Sequence, residues 1–141
     1  MNSKNLKIGL IINPIAGMGG KVGLKGTDGG KTVSLAEKLG AKPESNFKTL
    51  EALKEFTSLK DSFEFITCHG EMGGNIVKEL GFNAKIIGEK NSVTNSDDTK
   101  VAATEMKNLG VSLILIAGGD GTARDVFEAI GDSTPILGIP T

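Results

Sequence analysis

The sequence predicts an α/β fold: a doubly wound, mainly parallel sheet of about five strands with helices on both faces, of the flavodoxin or Rossmann type. Two observations predict it. Short apolar runs rich in Ile and Leu, such as Leu113–Ala117, are typical of strands buried on both faces, and they alternate about five times with segments of helical spacing. Chains of this kind form parallel sheets, because each helix crosses over the sheet to the next strand. The 141 residues suffice for one domain, spanning 1–141.

Each element follows from its apolar pattern and from the residue that ends it. Asn13-Pro14 ends the first strand, because proline cannot donate to a sheet ladder, and Gly81 and Gly110 end two helices. The expected strands are Lys7–Asn13, Phe63–Cys68, Ala84–Ile87, Leu113–Ala117 and Pro135–Ile139. The expected helices are Thr32–Leu39, Thr49–Leu59 (with Leu50, Leu53 and Phe56 at helical spacing), a segment with Ile76, Val77 and Leu80 inward, a segment from Asp97 to Leu109, and a segment with Ala123, Val126, Phe127 and Ile130 on one face.

Composition limits the classes of partner. The formal net charge is −1 without a basic block, so a nucleic acid is not an expected partner. No apolar run approaches the ~20 residues of a membrane span, and the start of the chain leads directly into a strand. The single cysteine, Cys68, suits a reducing compartment. We therefore expect a cytoplasmic protein with neither membrane nor nucleic-acid partner. Cys68 and His69 lack partners at metal-ligand spacing, so no metal site is expected either.

The turn Gly118-Gly119-Asp120-Gly121-Thr122 is the leading functional candidate. It joins a predicted strand to a predicted helix, and such turns bind anions because free backbone N–H groups and the helix dipole point at the ligand. A hairpin would need an alternating strand after the turn, whereas the following residues have helical spacing. A purely structural turn remains an alternative. Asp120 favours chemistry over simple anion binding, because a carboxylate repels phosphate unless it takes a metal, a hydroxyl or a proton.

Four stretches follow predicted strands or open a predicted helix at the same edge, where ligands bind in parallel sheets. They are Asn13–Gly20, His69–Gly74, Asn91–Asp98 and Gly118–Thr122.

Several polar residues in or beside these stretches have two interpretations each. Asn13 either holds a loop or meets a nucleotide. His69 is a general base or a hydrogen-bonded loop residue. Asp98, with Asp97, is a helix cap or a ligand contact. Arg124, the only arginine, meets an anionic partner or forms a helical ion pair.

Three motifs resemble one superfamily. Asn13-Pro14-Ile15-Ala16-Gly17, the glycine turn at 118–122, and Gly138-Ile139-Pro140-Thr141 are similar to motifs of the NAD kinases and diacylglycerol kinases. The longer strings Asn13–Gly20 and Gly118–Asp125 look most like the ATP-NAD kinase branch that includes the AcoX-like proteins. The resemblance covers almost the whole chain, and it identifies the chain as the N-terminal half of such a kinase.

The resemblance implies a reaction and a site. The reaction transfers a phosphoryl group from ATP, or polyphosphate, to the 2′-hydroxyl of NAD, with Mg²⁺ bound through the nucleotide. Asp120 would engage the ribose hydroxyl and assist its deprotonation. The nucleotide-binding residues would be Asn13, Gly17, Gly118, Gly119, Gly121 and Thr122. The resemblance also implies a homo-oligomer for the complete protein.

The chain departs from the resembled family in length. The family continues past Gly-Ile-Pro-Thr into a β-rich half that supplies much of the nucleotide pocket, so we expect these 141 residues to fold but to catalyse little alone. Two other functions remain open: a lipid kinase of the diacylglycerol or sphingoid type, and a non-catalytic nucleotide-binding regulatory domain.

Overall fold

A computed structural model describes residues 6–14, 45–88 and 96–139. Within these ranges lie five strands and four α-helices, together with short 3₁₀ turns at Thr57–Leu59 and Gly70–Met72. In chain order the elements are β1 (Lys7–Ile12), α1 (Ser45–Lys54), β2 (Glu64–Cys68), α2 (Gly74–Leu80), β3 (Ala84–Ile87), α3 (Ser96–Asn108), β4 (Leu113–Ala117), α4 (Asp120–Ile130) and β5 (Ile136–Ile139).

All five strands form one parallel sheet in the order β3-β2-β1-β4-β5. The central strand β1 is paired on both sides, with Ile8 opposite Phe65 of β2 and opposite Leu113 of β4. Its apolar run KIGLII is buried over its last four residues, as expected for a strand covered on both faces.

Two apolar clusters lie on the two faces of the sheet. Residues of β1 and β4 pack with α3 and α4 on one face, around Met106, Ile114 and Val126. On the other face, β1 and β2 pack with α1 and α2, around Leu10 and Phe65. The helices therefore cover both faces, which confirms the predicted α/β fold and its parallel sheet.

The bounds of one predicted helix differ from the structure, and another predicted helix is untested. The helix expected at Thr49–Leu59 runs from Ser45 to Lys54, and a separate 3₁₀ turn follows it. Its last buried side chain is Leu53, whereas Phe56 is 48% exposed, so the helix ends where its contact with the core ends. The expected helix Thr32–Leu39 lies outside the described residues.

The buried face of helix α4 agrees with the predicted one only in part, at Val126 and Ile130. Its buried residues are Thr122, Val126 and Ile130, whereas Ala123 and Phe127, expected on the inward face, are exposed. The stripe is rotated because i+4 spacing from Thr122 follows the line of contact with α3 and the sheet. The predicted ends are confirmed at Gly81 and Gly110, which adopt φ values of 78° and 81°.

Within the described ranges, no helix is long and apolar enough to cross a membrane.

Candidate functional site

The order in which the chain adds strands to the sheet reverses between β1 and β4. The connection that leaves β1 returns through α1 on one face, whereas β4 leads directly into α4 on the opposite face. Because neighbouring strands at this point send their connections to opposite sides, the carboxyl ends of β1 and β4 mark the position of the crevice in which sheets of this kind bind ligands. Asn13 follows β1 and the glycine turn follows β4, so the structure brings these two predicted site segments to the same crevice.

The glycine turn forms the start of α4. The helix begins at Asp120 after the N-cap residue Gly119, which has extended dihedral angles (φ −86°, ψ −166°) and supplies no side-chain cap. The first backbone bond of the helix runs from the N–H of Ala123 to the carbonyl of Gly119, at 3.2 Å. The N–H groups of the first turn have no acceptor within a helix, and they carry the positive end of its dipole.

The two leading glycines of the turn have different surroundings. A Cβ atom at Gly118 would lie 2.5 Å from Thr122 Oγ1 and 2.7 Å from Thr122 Cβ, closer than real Cβ atoms approach. At Gly119, no heavy atom of the described chain lies within 4 Å of such a Cβ, and the backbone is one that other residues adopt. The fold therefore requires the glycine at 118 but gives no steric reason for the one at 119.

Asn13 joins the end of β1 to both ends of the turn. Its backbone N–H donates to the carbonyl of Ala117 at 2.8 Å. Its side-chain Nδ2 donates to Oγ1 of Thr122 at 3.1 Å. Thr122 is only 5% exposed, so its side chain lies beneath the turn instead of on the open surface of the crevice. Of the two interpretations of Asn13, the structure supports the one in which it holds a loop in place.

Asp120, Gly121 and Arg124 lie in the first turns of α4. The side chain of Asp120 is exposed, Gly121 is half-buried, and Arg124 is exposed one turn further along the helix. Lys100 of α3 pairs with Glu128 at 2.9 Å and holds the pKa of that carboxyl below its usual value, and the charge of Arg124 adds to this effect. The ion pair of Glu128 is therefore with Lys100, and Arg124 adds only its charge from one turn away, so both interpretations of Arg124 stay predictions.

His69 and Asp98 belong to other parts of the same edge. His69 follows β2 and lines an open groove of about 480 Å³ between α2 and β3, together with Asn75 and Lys78. Asp98 lies in the first turn of α3, as its helix-cap interpretation predicts. Its charge and that of Glu105 add to burial in raising the pKa of the Cys68 thiol to about 11, burial being the largest cause.

The loop between β2 and α2 is fixed by Thr67 and Asn46. Thr67 Oγ1 donates to the carbonyl of Leu10 at 2.8 Å, and the Gly73 backbone (φ 148°) packs directly against the Thr67 side chain. Asn46 Nδ2 donates to the carbonyl of Glu71 at 2.8 Å and ties α1 to this loop. Neither hydrogen bond was predicted from the sequence, because each joins residues that are distant in the chain.

Two predicted site positions are not covered. Gly17 and most of the stretch Asn91–Asp98 lie outside the described residues. In the described ranges, no three His, Cys, Asp or Glu side chains come together in a group that could hold a metal ion.

A comparison with family models identifies the family of this chain. Residues 8–141 match the family model described as ATP-NAD kinase N-terminal domain. The matched range includes both Asn13 and the whole glycine turn. Neither the curated proteins nor the solved structures gave a match. Since the family model spans nearly the entire sequence, the chain belongs to the ATP-NAD kinase N-terminal domain family.

Proposed function

We propose that this chain forms the nucleotide-phosphate half of the active site of an NAD kinase-like phosphotransferase. The reaction transfers a phosphoryl group from ATP, or polyphosphate, to the 2′-hydroxyl of NAD and gives NADP. The observation that carries the proposal is the exposed carboxylate of Asp120 in the first turn of α4, directly after an uncapped glycine turn at the crevice between β1 and β4. Family membership supports the same class of function.

The free N–H groups of the turn suit the phosphates of a nucleotide. They lie at the positive end of a helix of 11 residues, and no described atom lies within 4 Å of a Cβ built at Gly119. The residues proposed to line the phosphates are Gly118, Gly119 and Gly121, with Asn13 and Thr122 beneath the turn and Gly17 from the preceding loop. This arrangement supplies donors without any cationic side chain from the turn itself.

Asp120 has the chemistry for the acceptor hydroxyl. Its carboxylate accepts the proton of the 2′-hydroxyl while that oxygen forms its bond to the γ-phosphorus, and the bond from the γ-phosphorus to the β–γ bridging oxygen breaks, so ADP leaves with that electron pair. Mg²⁺ enters with the nucleotide and offsets charge on the phosphates. One exposed carboxylate beside backbone donors fits this division of roles, because the metal then depends mainly on phosphate oxygens and water.

The remaining expectations about partners and location stay predictions from the sequence and the resemblance. They are a homo-oligomer, small-molecule nucleotides as the binding partners, no membrane or nucleic-acid partner, and a cytoplasmic location. His69, Asp98 and Arg124 are left without an assigned part in the reaction.

The test is NADP formation by the complete gene product with ATP, NAD and Mg²⁺. Asp120→Asn should lower kcat by about 10²- to 10⁴-fold, since general-base catalysis contributes that much. Asp132→Asn is the matched control, because Asp132 is an exposed aspartate just beyond the other end of α4. Full activity in Asp120→Asn would contradict the proposed role of Asp120. ATP binding without NADP formation would direct the search to lipid acceptors and then to a regulatory, non-catalytic function.

A further inference from the structure

Asn13 fixes the glycine turn at two points. Its backbone N–H binds the carbonyl of Ala117, the last residue of β4, and its side-chain amide binds the hydroxyl of Thr122 in α4. The residues between these two anchors are the three glycines and Asp120. A single residue at the end of β1 therefore brackets the whole turn, although it lies 109 positions away from Thr122 in the sequence.

The contact between Asn13 and Thr122 fixes the start of α4, which a helix cap usually does. A Ser, Thr, Asp or Asn at the N-cap accepts a bond from the N–H of the second or third residue and so fixes the start of the helix. Gly119 makes no such bond. The start of α4 is instead held through Thr122, the third residue of the helix, and the N-cap residue gives the first N–H groups no side-chain acceptor.

The Thr122 side chain is held on both of its sides. Its hydroxyl accepts a hydrogen bond from Asn13 Nδ2. Its Oγ1, Cβ and Cγ2 atoms lie where a Cβ atom at position 118 would be, which glycine leaves free. At 5% exposure it is shielded from solvent, where a hydrogen bond resists competition from water. The hydrogen bond sets the distance between β1 and α4, and the contact with Gly118 sets the rotation of the first turn.

We propose that Asn13 and Thr122 are positioning residues that hold Asp120 and the N–H groups of the turn in their working geometry. The inference rests on the proposed function. It assigns the two residues to the support of the site instead of to contact with the nucleotide. Reactions of this kind are sensitive to such support, because a displacement of about 1 Å at the reacting groups costs about 10²-fold in rate.

The first measurement is made on the chain without ligand. Thr122→Val keeps the shape of the side chain and removes the hydroxyl, whereas Thr122→Ser keeps the hydroxyl. In Thr122→Val we expect hydrogen exchange at the amide of Ala123, which bonds to Gly119, to become at least 10-fold faster. Exchange at Val126 in the next turn should stay unchanged, and Thr122→Ser should behave as the parent. Equal exchange at Ala123 in the parent and in Thr122→Val would overturn the inference.

The second measurement is the affinity for MgATP by calorimetry. Thr122→Val and Asn13→Ala should each weaken binding about 10-fold, and the double variant should be no weaker than the weaker single one, because both remove the same bond. Asn83→Ala is the control, an exposed asparagine beside the amino end of β3. Parental affinity in Thr122→Val, or losses that add fully in the double variant, would reduce the pair to a structural contact and overturn the inference.

These affinities are measured on the complete gene product. A parent protein that does not bind MgATP would contradict the proposed function, and this inference would fail with it. That outcome is distinguishable from failure of the inference alone, in which the parent binds and the variants bind equally well.

Discussion

Cys68 ends β2 in a buried position beside two acids of α3. Burial, followed by the charges of Glu105 and Asp98, raises the pKa of its thiol from 9.0 to about 11. The thiolate is the reactive form of cysteine, so this residue should be inert at neutral pH in the folded chain. Its role is packing within the core on the α3 and α4 face of the sheet.

The raised pKa of Cys68 makes part of the stability depend on pH. The unfolded chain loses the thiol proton near pH 9, whereas the folded chain keeps it until about pH 11, so the contribution is present below pH 9 and is lost as the pH rises toward 11. Urea unfolding should show the free-energy difference between the parent and Cys68→Ala falling by about 2 kcal/mol between pH 8 and pH 10.5. A difference that stays constant over this range would contradict the burial of the thiol.

At the scale of the element, the two leading glycines at the start of α4 should respond differently to substitution. Gly118→Ala places a Cβ atom within 3 Å of the anchored Thr122 side chain, so it should lower the free energy of unfolding by about 1–3 kcal/mol. Gly119→Ala meets no described atom and keeps an ordinary backbone, so it should change stability by less than about 1 kcal/mol.

The loss of MgATP affinity should be larger in Gly119→Ala than in Gly118→Ala, which is the reverse of their order in stability. In the proposed site the phosphates lie against Gly119, so Gly119→Ala should weaken MgATP binding at least 10-fold in a protein of parental stability. Urea unfolding and calorimetry on the two variants measure both quantities. A Gly119→Ala chain with parental affinity for MgATP would show that the open space does not receive the phosphates.

Local sequence patterns predict the elements of this fold better than their contacts. The apolar run Leu113–Ala117 and the glycines after it suffice to place a strand, a turn and a helix, because each is set by neighbouring residues. Helical spacing in α4 identified Val126 and Ile130 of the buried face but missed Thr122, and it wrongly included Phe127, which is 56% exposed. Burial depends on where the neighbouring element ends, and periodicity carries no information about that.

At the scale of the whole molecule, alternation of strand and helix predicts a parallel sheet but leaves the order of the strands open. The order β3-β2-β1-β4-β5 makes β1 and β4 neighbours, and only this pairing brings Asn13 to Thr122. The sequence placed both residues at the carboxyl edge of the sheet, yet it left the role of Asn13 undecided. The bond between them depends on long-range pairing, which no local pattern encodes.

The strand order also separates two regions of the same edge. The crevice between β1 and β4 holds the glycine turn, while the groove beside β3 is lined by His69, Asn75 and Lys78. Both regions offer polar groups to a ligand. We propose that nucleotide phosphates bind in the first region, beside the glycine turn.

The most direct test of that binding site is a titration of the ¹⁵N-labelled complete gene product with MgATP, followed by the amide resonances. We expect the largest shifts at Asn13 and from Gly118 to Ala123, and no shift of the amide resonances of Asn75 and Lys78. Shifts that cluster at the groove beside β3, or no shift at the glycine turn at saturating MgATP, would contradict it.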